Sequence, residues 1–373
     1  MSASSSSSGR PIQTHSMVSA HETFQRHVAE QFSSLQATSP DELLTIPWIH
    51  KLIGVFLSCQ NEFRSILQNN QEFLNRPPME RFVSAYYERC VKGLDVCNVI
   101  REGIERIRQW LRLLEIVMSA MDNIIYMESH FRRAKRALVD LAICMLDNNG
   151  SSSSSSSVSR KNRSFGRTRN TQTDQQGTHT RQFRSLSWSV SQNWSAVKQL
   201  QSFGNSLSTP RSSEVTSSGG LATIVYTMSY VLYFLMWALV AAIPCQDRGL
   251  QTNFYLSSTF LWSAPLLALR ERILQESKKK ERKNCCGLLK EIYTLEIRAR
   301  SLNQLLDTTP FPLSGITYTE VKKGAEELKE VCDSLKEELN PLERRVKEAF
   351  HAIVRCRVEG LHSIAMAQAS CPT

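Results

Sequence analysis

Twenty-three consecutive residues, Leu221–Ile243 (LATIVYTMSYVLYFLMWALVAAI), carry no charge. Hydrocarbon takes about 20 residues of helix to cross, so the segment admits two structures. It either spans a bilayer or lies at the centre of a large bundle, covered on every side. Gly219-Gly220 and Pro244 bound it. Thr223, Thr227 and Ser229 suit a helix with polar neighbours. Basic residues stand on both sides, in the stretch before it and at Arg270, Arg272, Lys278, Lys279, Lys280, Arg282 and Lys283 after it. A single pass would force one basic flank outward, against the positive-inside bias. The next uncharged stretch, Gly249–Leu269, holds Gln251, Thr252, Asn253, Ser257, Ser258, Thr259 and Pro265, too polar to complete a hairpin. A buried or reversibly membrane-inserting helix is therefore expected ahead of a permanent span.

The flanking chain reads as helix. Phe24, Val28, Phe32 and Leu35 recur at three and four, as do Leu52, Phe56, Cys59 and Phe63. From Met79 to Met121, Phe82, Tyr86, Cys90, Leu94, Cys97, Ile100, Ile104, Ile107, Leu111, Leu114 and Val117 step the same way. That predicts a spine helix of about 60 Å, or one broken near Gly93 or Gly103. A further helix ends at Leu146, and another is expected over Cys286–Leu306. Val321, Ala325, Leu328, Cys332, Leu335, Leu339, Leu342, Val346 and Ile353 form a heptad seam, interrupted by Asn340-Pro341-Leu342-Glu343. Proline after a capping residue predicts two antiparallel helices here rather than one continuous coiled coil. Only 15 glycines and 12 prolines occur in 373 residues, which disfavours a many-turned β-sandwich or propeller. The expected fold is all-α: a two-part up-and-down helical bundle interrupted by a disordered Ser-rich basic linker, with one long apolar helix. The boundaries are a disordered tail at 1–17, an N-terminal bundle at 18–149, the linker at 150–218, the apolar region at 219–269, C-terminal helices at 270–367 and a tail at 368–373.

The net charge of +10 is local. Residues 151–213 hold nine Lys/Arg against Asp174 alone, so the rest of the chain is nearly balanced. This weighs against a nucleic-acid-binding fold: basic residues with Trp188 and Trp194 permit RNA stacking, but no recognition module surrounds them. Within the linker, Phe183, Leu186, Trp188 and Trp194 form an aromatic segment, SLSWSVSQNWSAVKQL, able either to dock a partner or to pack on its own bundle. Arginines two to six residues before Ser164, Ser185 and Ser187, and the Thr209-Pro210 pair, are phosphorylation candidates. Each phosphate would remove nearly two units of linker charge and weaken attraction to an anionic membrane surface.

Ten cysteines include no C-x-x-C pair, and most sit among apolar helical residues, as in a reducing compartment. Cys285-Cys286 follow the basic run KKKERKN and are candidates for S-acylation, an acyl chain plus a polybasic patch making a two-signal anchor. The common phosphate, zinc and serine-nucleophile signatures are absent. Neither catalytic nor metal-binding residues, nor a cofactor, nor a small-molecule substrate is expected, and the chain reads as no enzyme.

HETFQRHVAEQF, DELLTIPWIHKLIGVFLSCQNEFRSIL and RFVSAYYERCVKGLDVCNVIREGIERIR resemble the plant BYPASS-related family, and SLSWSVSQNWSAVKQLQSFGNSL resembles its Roh branch. The resemblance runs through the chain past residue 17. It implies a protein without known enzymatic activity, with one membrane segment at 221–243. It further implies binding to the seventy-kilodalton subunit of the exocyst, and so a role in polarised secretion from the cytosol and membrane. The alternative it leaves is an integral membrane protein of the BYPASS type that affects a mobile small-molecule signal in development.

Overall fold

A computed structural model describes residues 11–122, 124, 127–146, 195–245, 250–252, 254–282 and 285–369. Among them there is helix and no strand: α1 (Pro11–Gln36), α2 (Ile46–Asn69), α3 (Gln71–Leu74), α4 (Met79–Met121), α5 (Glu128–Leu146), α6 (Ala196–Asn205), α7 (Ser212–Ser217), α8 (Leu221–Ala242), α9 (Ser263–Lys278), α10 (Lys290–Thr308) and α11 (Gly315–Ala369). The all-α expectation holds.

Local chemistry sets the helix ends. Thr45 caps α2 by accepting from Trp48 N at 3.2 Å, with Pro47 in the first turn where its missing N–H costs nothing. Gly220 precedes α8 with φ +90°, a left-handed conformation in which a side chain would be strained. The first helix begins at Pro11, inside the tail expected over 1–17, because proline is compatible with a first helical turn. Residues 1–10 of that tail lie outside the described residues. At the other end α11 reaches Ala369, two residues into the expected tail.

The spine is real. α4 is one unbroken helix of 43 residues through Gly93 and Gly103. It carries α5, α6, α8 and α11 along its length. α8 packs against α1, α2, α4, α6 and α7, so helices from both halves of the sequence enclose it. All 22 of its residues are buried. One continuous core joins Phe24, Phe56, Tyr86, Leu232, Trp237, Leu289 and Leu342.

Three expectations are corrected. The stretch expected as disordered linker over 150–218 contains α6 and α7, so its last part is helix packed on α4 and α8. Pro341 does not divide the C-terminal helix: α11 runs through it for 55 residues. Leu335, Leu339, Leu342 and Val346 are all buried on the same seam, and packing of α11 along α2, α4 and α10 holds the helix across the missing N–H. Glu343, the expected capping acid, instead binds Arg108 and Lys347. The seam faces its own bundle rather than a second chain. The helix expected from Cys286 starts only at Lys290. The intervening residues are irregular because their backbone serves α8: Leu288 N and Leu289 N donate to Ala241 O and Ala242 O, each at 3.1 Å. The last carbonyls of a helix have no partner within it, and here they receive one.

Candidate functional site

The sequence-selected features fall in three places. The first is α8 itself. Its polar side chains meet groups from other elements. Gln25 of α1 donates to Thr227 Oγ1 at 2.7 Å and accepts from Trp262 Nε1 at 2.6 Å. Tyr230 donates to Tyr255 O. Arg89 of α4, a buried guanidinium, donates to Ser229 Oγ, to Ser206 Oγ and to Ser206 O. Beyond its C-terminus, Arg106 donates to Pro244 O at 2.9 Å. Lipid tails offer none of these partners. In the segment singled out as a candidate membrane helix, Thr227, Ser229 and Tyr230 are thus paired with protein groups, while Trp237 Nε1 is buried without a hydrogen-bond partner.

The second place is the return from the linker. Phe183, Leu186, Trp188 and Trp194, with Ser164, Ser185 and Ser187, lie outside the described residues. Their C-terminal continuation does not: Ala196, Leu200 and Phe203 of α6 are buried, and the Phe203 ring stands 5.2 Å from that of Tyr233. Lys92 Nζ donates to Ser202 Oγ at 2.9 Å. The AVKQL end of the aromatic segment thus packs on its own bundle. Thr209 is exposed, with its hydroxyl 3.1 Å from that of Tyr226, so a phosphate there would replace a contact to the apolar helix.

The third place is the junction of α5 with the residues before α10. Cys285 and Cys286 are buried. Cys286 Sγ donates to Met145 O at 3.0 Å, and Cys285 Sγ to Glu281 O at 3.5 Å. In this fold neither sulfur faces solvent for acylation. An apolar cavity of about 210 Å³ opens beside Cys286, lined mainly by Leu138, Leu141, Met145 and Ala299.

Reactive chemistry is scarce among the described residues. No cluster of three or more metal-ligating side chains occurs there. Burial pushes the thiols of Cys59, Cys97, Cys245, Cys332 and Cys356 up to about 12, and that of Cys90 higher still. They are protonated at neutral pH and behave as small apolar groups. The glutamates of the α11 face are mostly helix-surface groups, Glu327 pairing with Arg298 at 2.6 Å, whereas Glu338 is half-buried with Oε2 unpaired and its pKa raised by burial.

One surface was not singled out from the sequence. α5 buries Phe131, Ala134, Leu138, Leu141 and Met145 against α4 and α10. Its opposite face exposes Arg132, Arg133 and Arg136, then Val139, Ile143 and Leu146. Steps of four, three, four and three from Arg132 to Leu146 were the available signal. A search for buried stripes passes over a stripe whose first half is arginine.

A family model described as Protein ROH1-like matches residues 4–364. Protein ROH1D of Arabidopsis thaliana is 51% identical over 353 residues, covering 92% of this chain and 87% of that protein. Protein ROH1A of the same plant is 32% identical over 376 residues, covering 93% and 90% respectively. No solved structure matches.

Proposed function

The chain belongs to the ROH1-like family, and from that premise we propose that it is a non-enzymatic interaction protein at the cytosolic face of membranes. Its partner is the seventy-kilodalton subunit of the exocyst, and its output is modulation of polarised secretion. The observation that carries the reading is the burial of all 22 residues of α8 by protein, with Thr227, Ser229 and Tyr230 hydrogen-bonded to other elements. A helix held in that way is the core of a rigid adaptor, which favours peripheral attachment over a permanent span. The integral-membrane alternative would leave Gln25, Arg89 and Arg106 without the groups they bind here.

The basic linker is the adjustable part. Phosphates at Ser164, Ser185 and Ser187 would cut its charge and loosen any hold on anionic lipid. Its aromatic segment is the candidate contact for the exocyst subunit. The test is binding of the purified full chain to that subunit in solution, with and without residues 183–194. Loss of at least tenfold in affinity on deletion supports the reading. Undiminished binding removes the segment from the interface, and no binding by the intact chain overturns the partner.

A further inference from the structure

The outer face of α5 joins two kinds of exposed side chain on one helical ridge. Arg132, Arg133 and Arg136 line an open depression of about 520 Å³ with Ser129 and Glu128. Glu128 pairs with Arg132 at 2.6 Å, and Lys135 is taken by Asp307 at 2.7 Å. Arg133 and Arg136 have no carboxylate partner among the described residues. Asp140 is the other acid on this face. Beyond the arginines, exposure of the apolar residues rises toward the helix end: Val139 is 41% exposed, Ile143 50% and Leu146 64%.

We propose that this face is a membrane-contact surface that takes anionic lipid headgroups. The guanidinium groups bind headgroup phosphates, for which their planar forked donors are suited. Val139, Ile143 and Leu146 enter the headgroup–acyl boundary, as the apolar side of an interfacial helix does. Charge selects the occupant. The apolar residues are preceded by three arginines, and the sequence that follows holds nine Lys/Arg against one Asp over 151–213. A short apolar patch bracketed by cations has the composition of an anionic-bilayer contact, each basic group near such a surface adding to the attraction. The inference rests on the membrane-facing part of the proposed function and names the side chains that perform it.

The experiment is flotation of the full chain with phosphatidylserine–phosphatidylcholine vesicles and with pure phosphatidylcholine vesicles. One variant carries Ile143→Ser with Leu146→Ser, and another carries Arg132→Gln, Arg133→Gln and Arg136→Gln. All five substituted side chains are solvent-facing, so melting temperatures should match the parent chain. Expected is binding to the phosphatidylserine vesicles alone, undisplaced by inorganic phosphate and reduced about tenfold or more by either variant. Parental binding by both variants would assign attachment to the linker and overturn the proposal. So would parental vesicle binding by variants that lose the exocyst subunit in solution, which would make the face a protein-docking surface. Failure of the subunit to bind while vesicle flotation behaves as expected would overturn the partner and leave this surface standing.

Discussion

Gly103 sits mid-helix, where alanine normally stabilises by roughly 0.5–1 kcal/mol. Here a Cβ would stand 2.7 Å from Pro244 O and 2.7 Å from Ile243 Cγ2, at the point where α4 meets the end of α8. Gly103→Ala should therefore destabilise, by about 2 kcal/mol, against the helix-propensity trend. Urea denaturation reads the sign directly, and a gain in stability would mean that α4 and α8 are not so closely apposed. His21 provides a second residue-level test. Burial lowers its pKa below 6.5, outweighing the opposite pull of Glu22, and burial with the nearby Arg345 lowers that of His50. The folded state then binds fewer protons than the unfolded one. The stability they contribute is complete above pH 6.5 and is lost as pH falls through their lowered folded values. His21→Gln should flatten the decline in urea midpoint between neutral and acid pH, and an unchanged slope would show that His21 does not contribute.

At the scale of the element, Pro341 makes α11 less stable than its packing allows. An interior proline removes the donor to the carbonyl four residues back, that of Glu337, and costs about 3 kcal/mol in a regular helix. Since α11 is already continuous, Pro341→Ala should raise stability, by about 1 kcal/mol or more. A loss would show that the proline-imposed shape is itself used in packing on α4. Much of this level was legible in the sequence. The step pattern from Phe82 to Val117 located the spine, and the uncharged run located α8. Pro341 misled because local cap chemistry was given more weight than the seam from Val321 to Ile353, which continues across it and keeps the helix together. Residues 286–289 misled for a related reason. Apolar spacing suggested helix, whereas their N–H groups serve the carbonyls of Ala241 and Ala242, more than forty positions away. The outer stripe of α5 was legible in principle, since its spacing is helical.

The whole molecule is organised around α8. Which helices surround it was not visible in the sequence, because contacts such as Gln25 with Thr227 and Arg89 with Ser229 join distant segments that periodicity cannot pair. Leu232 lies at its centre, fully buried and close to Gly93 and so to α4. Leu232→Ala should cost about 3 kcal/mol through the cavity it leaves. Leu232→Asp should unfold the chain, visible as protease sensitivity without any change of membrane topology. The central claim is that this apolar helix is the core of a bundle rather than a bilayer span. Alkaline-carbonate extraction of membranes carrying the full chain tests it most directly. The account predicts release into the supernatant, since the contact proposed through α5 and the basic linker would be peripheral, and retention in the membrane pellet would contradict it.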